Sequence, residues 1–194
     1  MQNLDIKYWE NRYETNQTKW DVGRITPALK DYVDQLPNKN IKILIPGAGN
    51  AHELIYMHQI GFTNVTVLDI AKNPLNNIKK QLPEISNDKL LQQDFFSHHD
   101  CYDLILEQTF FCALNPNLRE KYVLKMKELL NPNGKLVGVL FNQEFVNFEP
   151  PFGGSESEYI SLFQNHFKIK TLQTANNSIK PREGKELFFI FENK

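Results

Sequence analysis

Strand-like and helix-like segments alternate along most of this chain of 194 residues. Short apolar runs are separated by amphipathic stretches, several of which begin at helix-start signals such as Thr26-Pro27, Asn73-Pro74 and Asn115-Pro116. Residues 131–134, with the sequence NPNG, predict a turn. This alternation is typical of a parallel sheet with helices on both faces. The predicted strands cover residues 42–46, 64–69, 90–92, 102–107, 135–142, 167–174 and 186–192.

The last two predicted strands follow each other without a helix between them, and a loop containing Gly and Pro joins them. Such neighbours pair antiparallel, so we expect one antiparallel edge strand, formed by the end of the chain. The sequence therefore predicts a single α/β domain over residues 1–194. We expect a seven-stranded, mostly parallel, Rossmann-like sheet with helices on both faces and the last strand antiparallel. Residues 1–24 precede this unit as a polar arm that carries aromatic residues.

The composition excludes several classes of partner. The formal net charge is −1, so no basic field favours nucleic acid or an anionic membrane surface. No segment approaches the roughly 18 apolar residues of a membrane-spanning helix. Cys101 and Cys112 are the only cysteines and cannot form a disulfide framework. We therefore expect a cytoplasmic protein with no nucleic-acid or membrane partner.

A predicted strand runs directly into a glycine-containing loop in the stretch KILIPGAGNAHEL, residues 42–54. The strand has no polar alternation, which suits a strand buried on both faces. Gly47 and Gly49 allow the backbone to turn tightly and to approach a ligand closely. A helix that follows at once would direct its N-terminal amides at that ligand. The stretch therefore predicts a nucleotide-type binding loop.

The residues after this loop narrow the choice of ligand. Asp69 ends the next predicted strand, where a carboxylate can accept both hydroxyls of a ribose. The third glycine of a dinucleotide fingerprint is absent, and no Lys of a P-loop follows, so a phosphate ligand is disfavoured. Asp94 and Phe95, after the next strand, could bind the amino group and the face of an adenine. S-adenosylmethionine (SAM), which has adenosine but no phosphate, fits this pattern best.

Several stretches spread over nearly the whole chain carry a family resemblance: YWENRY, TKWDVGRITPAL, LIPGAGN, VTVLDIA, QQDFF, YDLILEQTFFCAL, LLNPNGKL, EPPFGGSESEY and REGKELFF. They resemble the thiopurine methyltransferase-like branch of the class I SAM-dependent methyltransferases, nearest to the thiol, thiocyanate and halide methyltransferases. The resemblance implies a class I methyltransferase fold, with SAM as methyl donor and S-adenosylhomocysteine (SAH) as product.

The resemblance also implies which residues contact the cofactor. The arm aromatics would cover SAM, the glycine loop and Asp69 would hold its ribose side, and Asp94 with Phe95 would hold the adenine. Gln108 falls where plant relatives tend to carry Tyr. The implied cofactor residues are Trp9, Tyr13, Trp20, Gly47, Gly49, Asp69, Asp94, Phe95 and Gln108.

The acceptor implied by the resemblance is a small soft nucleophile: a thiol, thiocyanate or a halide. Methyl transfer from a sulfonium is an in-line displacement, and an already ionised nucleophile needs little or no general base. Aromatic walls suit both a sulfonium and an anion stripped of water. Arg24 and Arg182 could orient an anionic acceptor. The aromatic candidates for the acceptor pocket are Phe110, Phe111, Phe148 and Phe152.

Two other readings stay open at this level. The glycine loop departs from many relatives, because Ala48, Asn50 and Ala51 stand where they have Cys, Gly and Gly. This departure, together with Gln108, would suit a protein that binds SAM or SAH without catalysing transfer. Alternatively, a methyltransferase acting on an O- or N-nucleophile would need a base, for which Glu107 is the best candidate. Cys112 is expected to be a small buried residue, and no metal is expected, since His98-His99 has no third ligand at suitable spacing. None of these readings fixes an oligomeric state.

Overall fold

The computed structural model describes residues 3–146 and 149–194. Phe148, one of the predicted acceptor-pocket residues, therefore lies outside the described residues. The helices are α1 (Ile6–Glu14), α2 (Pro27–Asp34), α3 (His52–Gln59), α4 (Lys72–Gln81), α5 (Arg119–Glu128) and α6 (Glu156–Phe163). The strands are β1 (Ile43–Pro46), β2 (Val65–Asp69), β3 (Leu90–Gln92), β4 (Tyr102–Gln108), β5 (Leu130–Phe141), β6 (Phe167–Thr174) and β7 (Glu186–Asn193).

All seven strands form one sheet in the order β3-β2-β1-β4-β5-β7-β6. The pairs among β1 to β5 are parallel, whereas β7 runs antiparallel to both of its neighbours. The predicted α/β class, with a mostly parallel sheet and an antiparallel last strand, is confirmed. Because the strand order reverses between β1 and β4, a crevice forms at their carboxyl ends, where open α/β sheets bind ligands.

The expected position of the antiparallel strand is wrong. β7 lies between β5 and β6, so β6 forms the edge of the sheet. The side chains explain this order. Phe189 and Phe191 of β7 are fully buried, whereas β6 carries the exposed residues Lys168 and Lys170. Lysines on an edge strand discourage pairing with another chain, so the more polar strand suits the outer position.

Two hydrophobic cores cover the two faces of the sheet. In β1, Ile43 and Ile45 point into one core and Leu44 into the other, as the period of a strand requires. Helices α2, α3 and α4 pack on the first face, and α5 and α6 pack on the second. All four residues of β1 are buried, which confirms the prediction of a strand covered on both faces.

Two elements begin earlier than the sequence predicts. β5 starts at Leu130, and the predicted turn at residues 131–134 is an irregular insertion opposite Asp103 rather than the end of a loop. Helix α4 starts at Lys72, although Asn73-Pro74 was the expected start. A carboxylate oxygen of Glu10 accepts the Lys72 N–H at 2.5 Å, so a side chain from the arm satisfies the first turn.

The arm lies across the sheet's carboxyl edge. Asp5 caps α1 by accepting the Tyr8 N–H at 3.1 Å, and no residue of α1 is buried. The arm therefore adds little to either core and is attached mainly through polar contacts. Among the described residues, no helix has the length and apolar character needed to cross a membrane.

Candidate active site

The carboxyl ends of β1, β2 and β4 meet the arm around a cavity of about 950 Å³. This volume is at the upper end of the range for small-molecule sites. Most of the residues expected at the site line the cavity. They are Trp9, Tyr13, Trp20, Arg24, Gly47, Gly49, Asp69, Asp94, Phe95, Gln108, Phe110 and Arg182.

The glycine loop after β1 passes between aromatic side chains. Gly47 has φ +56°, and a Cβ atom there would lie 2.2 Å from the ring of Phe110. Gly49 has φ +52°, and a Cβ atom there would lie 3.2 Å from the Tyr13 hydroxyl. Both positions combine left-handed backbone with a close neighbour, so glycine is required by conformation and by space. Both glycines line the cavity, so the loop backbone is accessible to a ligand there.

Asp69 ties the glycine loop to the end of β2. One carboxylate oxygen accepts the Gly49 N–H at 2.9 Å, and the other accepts the Ala71 N–H at 2.8 Å. The side chain is almost completely buried. Burial raises the pKa of Asp69 to about 6, although the two backbone hydrogen bonds act in the opposite direction and lower it. Asp69 is therefore ionised near neutral pH and lies at the cavity wall with its charge only partly compensated.

Three aromatic residues of the arm pack edge-to-face against one another over the cavity. The Trp20 ring lies 5.7 Å from the Trp9 ring and 5.8 Å from the Tyr13 ring, with interplanar angles of 81° and 84°. Burial raises the pKa of Tyr13 well above its usual range, so its hydroxyl stays protonated. Arg182 fixes this cluster from the other side by donating to the Trp20 carbonyl at 2.9 Å.

Asp94 and Phe95 form a rigid corner after β3. One carboxylate oxygen of Asp94 accepts the Phe96 N–H at 3.0 Å and caps a short 3-10 helix. Phe95 is buried, with its ring 5.1 Å from the ring of Phe110 and 5.8 Å from that of Tyr122. The Asp94 carboxylate is exposed at the cavity. This corner can present a hydrogen-bond acceptor, the Asp94 carboxylate, and the edge of an aromatic ring to a planar ligand.

Gln108 links the end of β4 to the end of the arm. Its side-chain oxygen accepts the Thr26 hydroxyl at 2.8 Å. Its side-chain nitrogen is buried and has no hydrogen-bond partner among the described residues. The amide is therefore held by the residue that begins α2.

Glu107 lies beside the cavity but does not line it. One carboxylate oxygen accepts the N–H groups of Phe110 and Phe111 at 2.8 and 2.9 Å, and the other accepts the Tyr122 hydroxyl at 2.5 Å. Gly138 on β5 leaves room for it, since a Cβ there would lie 2.6 Å from the Glu107 Cβ. Burial raises the pKa of Glu107 to about 7. All of these contacts hold the loop that carries Phe110.

Two of the expected acceptor-pocket residues do not line the cavity. Phe111 is 1% exposed and packs in the core, with its ring 5.0 Å from that of Tyr122. The backbone N–H of Phe152 donates to the Cys112 carbonyl at 2.7 Å, and the Phe152 ring is not part of the cavity wall. We therefore correct both assignments. The backbone at Thr109 has φ +60°, which turns Phe110 towards the cavity and Phe111 into the core.

The cavity also contains a cysteine and two arginines. Burial raises the pKa of Cys112 to about 12, so the thiol stays protonated and cannot act as a nucleophile near neutral pH. Arg182 is mostly buried, with a guanidinium nitrogen 3.5 Å from the Glu186 carboxylate. Arg24 is exposed at the cavity and makes no ion pair within residues 3–146 and 149–194. Arg24 and Arg182 thus bring two guanidinium groups to the cavity, and that of Arg182 is paired with Glu186.

A sequence model of the thiopurine S-methyltransferase family matches residues 4–193 of the chain. The chain belongs to the thiopurine S-methyltransferase family. It is similar to a probable thiol methyltransferase 2 from Arabidopsis thaliana, with 31% identity over 184 residues, 92% of this chain and 81% of the relative. It is also similar to a thiocyanate methyltransferase 1 from Brassica oleracea, with 30% identity and the same coverage of each chain.

Solved structures with the same fold extend beyond the family. A Burkholderia thailandensis 1,6-didemethyltoxoflavin-N1-methyltransferase with bound SAH aligns over 97% of this chain and 86% of its own, with a TM-score of 0.77 and 17% identity. A TehB-like SAM-dependent methyltransferase from Corynebacterium glutamicum aligns over 97% and 95%, with a TM-score of 0.69 and 15% identity. This family member is a SAM-dependent methyltransferase with the class I fold.

The cavity of this methyltransferase fits SAM in volume and in chemistry. The open glycine loop, the partly compensated carboxylate of Asp69 and the aromatic arm suit a flat, hydroxylated and positively charged molecule. The glycine loop contains no lysine, in agreement with a ligand that has no phosphate. About 950 Å³ also leaves room for a small acceptor beside the cofactor.

Sequence reasoning missed one polar cluster of the site. Asp21, Asn50 and His52 all line the cavity, and the Asp21 carboxylate is hydrogen-bonded to both Asn50 and His52 across the gap between the arm and α3. Asp21 follows Trp20 directly in the stretch TKWDVGRITPAL, which marked the arm but gave no partner for the carboxylate. Several aromatic and cationic lining residues were also missed, among them Tyr8, Arg12, Phe96, Phe141, Phe145 and Lys185.

Proposed function

We propose that this methyltransferase transfers the methyl group of SAM to a small, soft, anionic nucleophile, namely a thiol, thiocyanate or a halide. The observation that carries the proposal is that the best candidates for a base at this aromatic cavity, Asp69, His52 and Glu107, are already engaged in hydrogen bonds. Within the described residues, the cavity-lining carboxylate of Asp69 is held by two backbone N–H groups, and His52 is paired with Asp21. Glu107 lies outside the cavity wall with its carboxylate fully engaged.

On the cofactor side, residues of the chain would bind SAM and orient it. We assign Asp69 to the ribose hydroxyls, and Asp94 with Phe95 to the adenine. Trp9 and Trp20 would cover the cofactor and exclude water. When bound, SAM supplies an electrophilic methyl group on a sulfonium, whose positive charge is attracted to aromatic faces.

On the acceptor side, Phe110 forms an apolar wall next to Gly47, and Arg24 and Arg182 also line the cavity. An anion that loses its water there would be attracted by the guanidinium groups, and its reactivity would rise as its hydration shell is removed. Positioning the nucleophile in line with the methyl group supplies much of the remaining rate enhancement. The chain therefore needs to bind an ionised acceptor but not to ionise it.

The relatives named as thiol and thiocyanate methyltransferases support this choice of acceptor. The buried position of Glu107 argues against an O- or N-nucleophile, because such an acceptor has to lose a proton during or before transfer.

A turnover screen tests the proposal. The purified chain is incubated with SAM and, separately, with thiocyanate, iodide, a small thiol, a small alcohol and a small amine, and SAH formation is measured. We expect SAH above background with thiocyanate, iodide or the thiol. Turnover of only the alcohol or the amine would refute the proposal. Tight SAM binding without turnover of any acceptor would instead support a protein that binds SAM without catalysing transfer.

A further inference from the structure

The carboxylate of Asp21 is the centre of a hydrogen-bond cluster that the proposed reaction does not use. One oxygen lies 2.7 Å from His52 Nε2 and also accepts the Gly23 N–H at 2.7 Å. The other oxygen accepts the Asn50 side-chain amide at 2.5 Å. The Asp21 and His52 side chains are 18% and 22% exposed, so the pair is largely shielded from water.

This cluster connects three separate parts of the site. Asp21 belongs to the arm and follows Trp20 directly. Asn50 follows Gly49 in the loop and His52 begins α3, and the Asn50 side-chain oxygen accepts the Asn77 amide of α4 at 3.1 Å. A single carboxylate thus fixes the aromatic arm to the cofactor loop, and the loop to the helix behind it.

The charges of the pair depend on each other. The hydrogen bond to Asp21 raises the pKa of His52, and the hydrogen bond to His52 lowers the pKa of Asp21. Glu53 of the same helix favours the protonated ring as well. His52 is the first residue of α3, where the helix dipole disfavours a positive charge. The protonated ring is therefore stable there mainly because the Asp21 carboxylate from the arm is next to it.

We propose that Asp21 and His52 are a positioning pair that holds the arm closed over the cofactor, so that cofactor affinity depends on the charge of His52. The inference rests on the proposed assignment of Trp9 and Trp20 as residues that cover SAM. Opening the arm separates His52 from its counter-charge and returns the ring to its ordinary titration. Protonation of His52 therefore favours the closed arm, and loss of that proton as the pH rises weakens it.

The test is the affinity for SAH, measured by calorimetry between about pH 6 and pH 8.5, a range that begins near the ordinary histidine pKa of about 6.5 and extends well above it. The variants are His52→Gln, Asp21→Asn and the double variant. The ratio of the dissociation constant of His52→Gln to that of the wild type removes every pH effect that both proteins share. We expect this ratio to be about three to ten near pH 6, the range for a partly shielded ion pair, and to fall towards one near pH 8.5.

The pair also makes a prediction about coupling. The double variant should bind SAH about as weakly as the weaker single variant, because either change alone removes the same interaction. His58→Gln is the matched control, since His58 lies on the same helix with its ring 3.6 Å from Glu84 on the exposed side. It should leave the SAH affinity and its pH profile unchanged.

A ratio for His52→Gln that does not change with pH, or single-variant losses that add, would overturn the proposal. Trp20→Ala separates this failure from failure of the arm assignment. If Trp20→Ala weakens SAH binding while His52→Gln does not, the arm covers the cofactor without help from this pair. If neither variant weakens binding, the assignment of the arm itself is refuted. Asp21→Asn carries the greater risk of misfolding, because Asp21 also accepts the Gly23 N–H. If that variant does not fold, the pH dependence of the ratio for His52→Gln still tests the proposal.

Discussion

Replacing Glu107 separates its positioning role from the role of a general base. In Glu107→Gln, the remaining oxygen can still accept both backbone N–H groups, and the new amide can donate to the Tyr122 hydroxyl, which rotates to accept. We expect this variant to lose less than about 2 kcal/mol of unfolding free energy at neutral pH. Its kcat with a small thiol, which carries a proton that a base could remove, should stay within about threefold of the wild type, whereas loss of a general base typically costs 10²-fold or more.

Glu107→Ala should behave differently. It leaves the N–H groups of Phe110 and Phe111 buried without an acceptor and creates a space opposite Gly138. Together these effects should cost about 3–5 kcal/mol of unfolding free energy. For a chain of this length, that corresponds to a fall of about 6–20 °C in Tm, measured by thermal denaturation.

The pH dependence of stability gives an independent check. Burial raises the pKa of Glu107 from 4.5 to about 7, so the folded state binds its proton more tightly than the unfolded state. This group's contribution is therefore fully present below about pH 4.5 and is lost as the pH rises through about 7, a total of about 3 kcal/mol. Urea unfolding of the wild type at pH 5 and pH 8 should show this loss. In Glu107→Gln, the loss of unfolding free energy between these two pH values should be smaller by the amount that Glu107 contributes.

Two results would refute the reasoning about Glu107. One is a fall in kcat of a hundredfold or more in a Glu107→Gln protein that melts like the wild type. The other is equal pH dependence of unfolding in the variant and the wild type. The first would restore Glu107 as a base and favour an O- or N-nucleophile, and the second would show that the carboxylate does not titrate as its burial requires.

Three further predictions concern the cofactor site. Asp69→Ala should weaken SAM binding by about 2–4 kcal/mol in calorimetry, because a charge-assisted pair of hydrogen bonds is lost, and an unchanged affinity would refute the ribose assignment. Gly47→Ala should lower SAM affinity and Tm together, because the new Cβ would lie 2.2 Å from the Phe110 ring at φ +56°, and a variant with wild-type values would contradict this packing. Hydrogen exchange in residues 3–24 should slow when SAH is added, because the arm has few core contacts of its own, and equal exchange rates would argue against an arm that closes over the ligand.

The features that the sequence predicts well depend on neighbouring residues. The buried strand β1, the turn at Gly47 and the carboxylate at the end of β2 are each visible within a few residues, because an apolar run and its turn chemistry are local signals. Their meeting at one edge follows from parallel strand geometry alone, since strands of the same direction present their carboxyl ends together.

The features that the sequence does not predict depend on distant contacts or on one backbone angle. The insertion of β7 between β5 and β6 depends on which face each strand buries, not on strand order. Phe110 and Phe111 are adjacent and chemically identical, yet the positive φ at Thr109 directs one to the cavity and the other to the core. Asp21 and His52 are 31 residues apart, so no spacing rule joins them.

The most direct test of the central claim compares the pH profiles of two acceptors at saturating SAM. If the chain binds an acceptor that is already ionised, kcat/KM for a small thiol should rise with pH towards the pKa of the thiol itself, about 8.5 for a cysteine-like group. With thiocyanate, which is anionic throughout, kcat/KM should change little between about pH 6 and pH 9. The ratio of the two should therefore follow the ionised fraction of the thiol. A ratio that is flat with pH, with the thiol methylated as fast at pH 6 as at pH 8.5, would show that the protein removes the proton and would contradict the account.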